Sequence, residues 1–375
     1  MIIHTVTKGD SLYSIGRQYG VTIEALIAAN GASVSPTLIV GQAVIVPTAT
    51  QKYRDILTNG YAYTNIDKSV LSSTLDYLSL ITPFSYGINT NGTLVQLEDD
   101  EIIATAENAG VLPLLLITTL TESGKFSPQN AAAILSDSSL SETLLQNILA
   151  QLEQHNYFGV DVDFEYIPPE YRQSYADFIT RLRELVSPLG YKVFVALAPK
   201  TSAMQRGLLY EAHDYGALGN AADYALIMTY EWGYTYGPPM AVAPIDKVRE
   251  VLEYAISEMP AQKILMGIPN YAYDWTLPFV RGSAAQSMSN DRAIEIARMY
   301  GAEIQFDETA QTPFFNYYDE NKREHVVWFE DARSINAKLV LLNELALAGA
   351  SIWNVSTFFK PLYTLLNSKF NITKL

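Results

Sequence analysis

The stretch Gly159-Val160-Asp161-Val162-Asp163-Phe164-Glu165-Tyr166 carries an acid at every second position. In an extended chain alternate side chains share a face, so Asp161, Asp163 and Glu165 point one way and Val160, Val162 and Phe164 the other. The following Ile167-Pro168-Pro169 marks the strand's end. Three carboxylates on one face of a buried strand cannot all ionise cheaply. Mutual repulsion and desolvation raise at least one pKa and keep a transferable proton near neutral pH. Glu165, the last of the three, is the candidate catalytic acid. A metal or salt-bridge cluster is the alternative reading, but no His or Cys flanks the run and few cations lie near it in sequence. The chain has no Cys, and its four His (His4, His155, His213, His325) include no pair at metal-ligand spacing. Neither a metal nor a cofactor is expected.

A strand that presents acids at its end needs a scaffold that buries both of its faces. Eight short apolar runs alternate with amphipathic stretches: 56–63, 80–86, 112–117, 160–164, 192–197, 224–230, 264–271 and 351–355. Helical patterns such as 169–186 and 244–259 lie between them. Apolar strands followed by amphipathic helices predict a parallel sheet covered on both faces, and eight such units predict a closed (β/α)8 TIM barrel, an α/β fold. In that fold the acids point inward and the strand's end opens at the C-terminal mouth. The gap between the seventh and eighth runs is too long for one helix. It predicts a small α+β insertion at about 275–330 with strands at 303–307 and 326–329.

The small, polar, Pro-initiated stretch Pro47–Lys52 reads as a linker. Before it, a strand at 3–7, helices at 11–19 and 22–30 and a strand at 44–46 predict a βααβ unit, with Ser11 and Thr22 as N-caps. The expected domains are 1–48 and 49–375. Hydrophobic residues at 49 % supply a core, and 17 % charged residues argue against disorder. A net charge of −15 disfavours nucleic acid as a partner, because phosphate binding needs clustered cations. The 25 Tyr are compatible with stacking on sugar rings as well as with a Tyr-rich core. No membrane-length apolar run and no signal-peptide pattern are present, so neither a membrane partner nor ordinary export is expected.

Gly-x-Asp-x-Asp-x-Glu at the end of a barrel strand resembles glycoside hydrolase family 18, the chitinase-like enzymes. Met228-Thr229-Tyr230 is similar to that family's motif on strand six, and Ser351-Ile352-Trp353 to its strand-eight Trp. Two positions depart from the pattern. Phe158 stands where the family has Asp before the Gly, and Glu231 where many members have Asp. The resemblance implies substrate-assisted hydrolysis with retention. Glu165 would protonate the glycosidic oxygen, and the sugar's acetamido oxygen would attack the anomeric carbon. Asp163 would hold the acetamido N–H, and Asp161 would share a proton with Asp163. Tyr230 would orient the acetamido oxygen, and Trp353 would floor the site. Glu231, Met228, Tyr271, Tyr61 and Tyr86 are further candidates to bind substrate.

Residues 2–47 resemble a LysM domain, through His4-Thr5-Val6, Gly9-Asp10-Ser11-Leu12, Ile15, Asn30 and Ile39-Val40-Gly41-Gln42. The resemblance places Gly9, Asp10, Ser11 and Leu12 on one sugar-binding loop, and Leu38 and Ile39 on the other. It implies a peptidoglycan or chitin-like N-acetylglucosamine polymer as partner. Glu231-Trp232-Gly233 with Gly237-Pro238-Pro239-Met240 is similar to the spore-associated branch of the family. That branch implies an N-acetylglucosaminidase deposited on the spore, acting on cortex peptidoglycan during germination. A chitinase with a LysM anchor, a carbohydrate-binding lectin on a silent barrel and a spore-coat protein are the alternatives. The silent forms usually lack the acid that Glu165 supplies.

Overall fold

A computed structural model of the chain describes residues 1–121 and 124–375. Among these, eight parallel strands follow one another around a barrel: Arg54–Tyr63, Leu80–Phe84, Leu112–Thr118, Gly159–Asp163, Lys192–Leu197, Tyr224–Ile227, Ile264–Pro269 and Gly349–Trp353. The eighth pairs with the first, from Gly349 opposite Leu57 to Ile352 opposite Gly60, which closes the ring. Strand alternation sorts the side chains into two cores. Leu57, Tyr61, Leu80, Leu114, Leu116, Phe194, Ala196, Leu226 and Leu265 fill the interior. Their neighbours, such as Leu115, Ile117, Val160, Val162, Val193 and Val195, pack outward against the helices. Leu114 to Ile117 are therefore all fully buried, as a strand covered on both faces requires.

Several strands are shorter at their C-terminal ends than their apolar runs. Residues 228–230, 270–271 and 354–355 lie past the ladders, and beyond Phe84 the second strand keeps a single bridge, from Tyr86 to Ile117. The apolar pattern continues there because Tyr86, Tyr230, Tyr271 and Val355 stay buried after the regular ladders end. Two small elements had too little periodicity to be foreseen. Phe370–Ile372 adds a parallel strand beside Arg54–Ile56, and Gly87–Ile88 forms a short antiparallel pair with Leu94–Val95. The insertion is a five-stranded antiparallel sheet in the order Gln286–Met288, Ala272–Thr276, Glu324–Trp328, Thr312–Tyr318, Gln305–Asp307, with the helix Asn290–Tyr300. It begins at Ala272, directly after the seventh barrel strand.

The N-terminal unit pairs Ile2–Thr5 antiparallel with Ala43–Val46 and places helices Leu12–Tyr19 and Ile23–Asn30 between them. Ser11 caps the first helix, accepting from the Ser14 N–H, and Thr22 caps the second. Val44 and Val46 join Leu12, Ile15 and Leu26 in the unit's own core. The opposite face of the same strand, Ala43 and Ile45, enters the barrel's outer core together with Ala29 and Ile39. Polar bonds seal this joint. The Ser33 hydroxyl donates to Asp291 (2.6 Å), Arg298 to the Thr37 carbonyl (3.2 Å), Arg333 to the Gly41 carbonyl (3.0 Å) and Thr364 to the Ala29 carbonyl (2.8 Å). Pro47–Lys52 has no regular structure, yet the unit it connects is docked and not tethered.

Gly41 marks a close approach of the two backbones. Its φ of 84° is left-handed, and a Cβ there would lie 1.8 Å from the Ile304 carbonyl oxygen. Gly41→Val is expected to cost about 2 kcal/mol or more through strain and overlap, lowering Tm by several degrees. In calorimetry the whole chain should melt in a single transition. Two resolved transitions would show that the N-terminal unit melts independently of the barrel.

Candidate active site

The inward acids meet at the base of a cleft of about 580 Å³ at the C-terminal mouth. Asp161 is deepest. It is buried, and its Oδ2 accepts a 2.6 Å hydrogen bond from the Tyr61 hydroxyl. Burial pushes its pKa up to about 6, although the Tyr61 bond acts in the opposite direction. Asp163, two residues nearer the mouth, is also buried and lines the cleft. Its pKa is raised well above the ordinary value, by burial first and then by the charges of Glu165 and Asp161. The Oδ1 atoms of both aspartates have no hydrogen-bond partner among the described residues. Glu165 stands at the cleft wall, its pKa raised to about 7 by desolvation and then by the charge of Glu231. A glutamate in that range still holds its proton in a large fraction of molecules at neutral pH, as a general acid requires.

The loops beyond the strands supply the walls. Trp353, ending the eighth strand, packs edge-on against Phe84 at 4.9 Å, Tyr61 at 5.4 Å and Tyr63 at 6.0 Å between ring centroids. Met228, Tyr230 and Trp353 all face the cleft. A Cβ on Gly267 would meet the Tyr230 ring at 2.7 Å, so the glycine makes room for that ring. Asn270 is buried and donates to the carbonyls of Asn354 (3.0 Å) and Thr357 (2.9 Å), pinning the turn after Trp353. Glu231 is held by hydroxyl donors from Tyr271 and from Tyr273, the latter at 3.1 Å. Desolvation raises its pKa, while the two phenols act against that shift. Tyr166 and Glu231, each just past a strand end, have φ of 56° and 67°. Left-handed backbone at non-glycine residues costs on the order of 1 kcal/mol, and such strain concentrates at functional sites.

The structure thus brings Asp163, Glu165, Tyr61, Met228, Tyr230, Glu231 and Trp353 to one cleft, with Asp161 beneath them. Two expected substrate contacts lie elsewhere. Tyr86, bridged to Ile117 just past the second barrel strand, faces away from the cleft. Its hydroxyl donates to Asp99 (3.0 Å) and accepts from Gln151 (3.0 Å) in a buried cluster with Tyr157. Tyr271 is buried behind Glu231 and acts on it, without lining the cleft. Phe84, Phe126, Tyr166, Leu209, Tyr210, Tyr234 and Tyr273 line the cleft and were not singled out from sequence. Most sit on loops, where no periodicity indicates direction.

In the N-terminal unit, Gly9 is exposed with φ 96°. The Asp10 carboxylate is taken up by the Thr7 N–H (2.7 Å), the Thr7 hydroxyl (2.8 Å) and His4 (3.1 Å). The Ser11 hydroxyl is the helix cap. Leu12 is buried in the unit's own core, which Leu38 packs against, and Ile39 is buried toward the barrel. Asp10 and Ser11 therefore shape the loop with their side chains, and those of Leu12 and Ile39 face no solvent groove.

This fold and acid strand define a class of glycan-cleaving barrel, and the chain matches Glycosyl hydrolases family 18 over residues 60–357 and the LysM domain over residues 4–47. The protein belongs to glycoside hydrolase family 18, is a glycoside hydrolase, and carries a LysM module. It is 40 % identical to the cortical fragment-lytic enzyme of Bacillus subtilis (strain 168), across 100 % of this chain and 99 % of that protein. The protein of the same name from Bacillus anthracis is 38 % identical, across 99 % of each. Among solved structures, the Bacillus megaterium QM B1551 spore cortex-lytic enzyme SleL superposes with a TM-score of 0.84 at 38 % identity, covering 100 % of this chain and 87 % of that one. A chitinase from Chromobacterium violaceum shares the fold, with a TM-score of 0.77 at 24 % identity across 84 % of this chain and 98 % of that one.

If Glu165 is the general acid it must be protonated to act, and activity should then fall as pH rises through its pKa of about 7. Glu231→Gln removes the negative charge that helps to raise that pKa. The alkaline limb of the kcat/KM profile, which reports the free enzyme, is expected to move to lower pH. A limb that stays in place, or moves upward, would show that Glu231 does not act on Glu165 through its charge.

Proposed function

We propose that this protein is a retaining N-acetylglucosaminidase that cuts the β-1,4-linked glycan of spore cortex peptidoglycan fragments by substrate-assisted catalysis. The observation that carries the mechanism is the pairing of a high-pKa Glu165 with a buried Asp163 whose Oδ1 has no partner among the described residues. Glu165 donates its proton to the glycosidic oxygen as the C–O bond breaks. The acetamido carbonyl oxygen of the same sugar attacks C1 and forms an oxazolinium ion. Asp163 accepts a hydrogen bond from the acetamido N–H and stabilises the positive charge. Asp161, held by Tyr61, shares a proton with Asp163. Tyr230 orients the acetamido oxygen, and Trp353 supplies an apolar face beneath the ring. Glu165, now ionised, takes a proton from the water that opens the oxazolinium. C1 is inverted twice and its configuration is retained.

The natural polymer is inferred from the relatives, named as cortical fragment-lytic and spore cortex-lytic enzymes, which match the chain from end to end. The division into residues 1–48 for glycan binding and 49–375 for catalysis belongs to the same reading, as does a location on the spore. One observation favours chitin as a second substrate. The cleft is lined by aromatic, apolar and acidic residues without Lys or Arg, which suits an uncharged N-acetylglucosamine chain. Mass spectrometry of products from cortex fragments and from chitin oligomers, run in parallel, separates the two.

Glu165→Gln is expected to lower kcat by at least about 10²-fold, the scale of lost general acid catalysis. The loss should be smaller on aryl glycosides, whose leaving groups need little protonation. Asp163→Asn should impair both substrate types alike. Proton NMR of early product should show the β-anomer. Initial α-product, or brisk cleavage of a glucoside lacking the acetamido group, would falsify substrate assistance.

A further inference from the structure

The ladder between the fourth and fifth barrel strands ends at Val162 opposite Val195. Beyond it the two chains diverge, and Phe164 and Ala198 lie outside both strands. Phe164 is the residue between Asp163 and Glu165, so its carbonyl belongs to the peptide unit whose nitrogen is that of Glu165. A buried carbonyl at this point, with no neighbouring strand to bond it, leaves the acid's backbone free to shift.

One side chain fills the gap. His213 is 1 % exposed. Its Nδ1 lies 2.8 Å from the Ala198 nitrogen, and its Nε2 lies 3.0 Å from the Phe164 carbonyl oxygen. A backbone N–H can only donate, so Nδ1 must be the bare, accepting nitrogen, and Nε2 carries the hydrogen that goes to Phe164. The ring therefore does what the missing ladder would do, accepting from one strand end and donating to the other. Burial, aided by the charge of Lys200, lowers the imidazole pKa to about 4, so this neutral tautomer persists at neutral pH. The ring is itself fixed. Buried Lys200 donates to the His213 carbonyl at 2.8 Å. Tyr175 packs against both the imidazole and the Phe164 ring, with centroids 6.1 and 5.7 Å apart. Tyr215 donates to the Ala198 carbonyl at 2.6 Å and so holds the far strand end.

We infer that His213 is a positioning residue for the acid: its imidazole bridges the splayed ends of the fourth and fifth barrel strands and holds, through the Phe164 carbonyl, the peptide that carries Glu165. It does not line the cleft. The inference rests on Glu165 being the general acid. A misplaced acid delivers its proton poorly while leaving the Asp163 side of the site in order, so the damage depends on the leaving group.

The test compares two substrates within each purified variant: an N-acetylchito-oligosaccharide, whose sugar leaving group needs the proton, and the corresponding 4-nitrophenyl glycoside, which needs it far less. The amide nitrogen of Gln reaches the place of Nε2, whereas the amide oxygen of Asn reaches only that of Nδ1. His213→Asn is expected to lose at least about tenfold more kcat on the oligosaccharide than on the aryl glycoside. His213→Gln should recover most of that difference by donating again to Phe164. His213→Leu, which fills the space without either bond, provides the same comparison if the Asn variant does not fold. Glu165→Gln is the reference and must itself show the leaving-group dependence. Equal losses on both substrates in Glu165→Gln would remove the acid assignment. Dependence there, with equal losses in the His213 variants or no recovery by Gln, would overturn the positioning role alone. A fall in Tm without a change in the substrate ratio would reduce His213 to a structural residue.

Discussion

Carboxylates resist burial, and this barrel places two on the inward face of one strand and a third at that strand's mouth. Desolvation leads every upward pKa shift in the group, and for Asp163 and Glu165 the charge of a neighbouring carboxylate adds to it. The cost can be bounded at Asp161. The unfolded residue loses its proton near 3.8 and the folded one near 6. As pH rises between these values the unfolded state sheds its proton first, so stability declines. Above the folded value the penalty levels off at about 3 kcal/mol. That is a substantial share of the 5–15 kcal/mol typical of a domain. The surrounding barrel must supply it.

Much of the architecture around the cleft serves to hold these groups in place without compensating their charge. Tyr61 bonds Asp161, Tyr271 and Tyr273 bond Glu231, and Asn270 pins the turn after Trp353. Each partner is a neutral donor. A lysine or arginine in the same place would draw the carboxylate pKa values down and discharge the acid. Arg181 pairs with Glu142 and Arg249 with Glu344 on the outside of the molecule instead. The one fully buried ion pair among the described residues, Lys338 with Glu330, lies where the insertion rejoins the barrel and does not line the cleft.

Docking of the LysM module follows a separate logic. Its second strand is buried on both faces, one toward the module and one toward the barrel. A module of this size has a small core, and sharing apolar surface with a larger domain stabilises both. The orientation of any glycan held by the module is then fixed relative to the cleft, which a flexible linker would not achieve.

The order of acids along 159–166 was sufficient to specify a strand, a shared face and a raised pKa, because period-two alternation and charge repulsion are local. The eight apolar runs specified the barrel for a similar reason, since burial on both faces leaves its mark in every strand. The cleft walls were not legible. Tyr166, Tyr210, Tyr234 and Tyr273 reach the cleft through loop paths and a second sheet, and Tyr86 faces away from it although it ends an apolar run. His213 carried no signal at all. Its partners are backbone atoms 49 and 15 residues away in the chain, and a side chain that bonds main-chain groups leaves no pattern in the residue types of its partners. Only the meeting of two strand ends in space gives that imidazole its place, because a carbonyl that loses its ladder must find a donor wherever the fold supplies one.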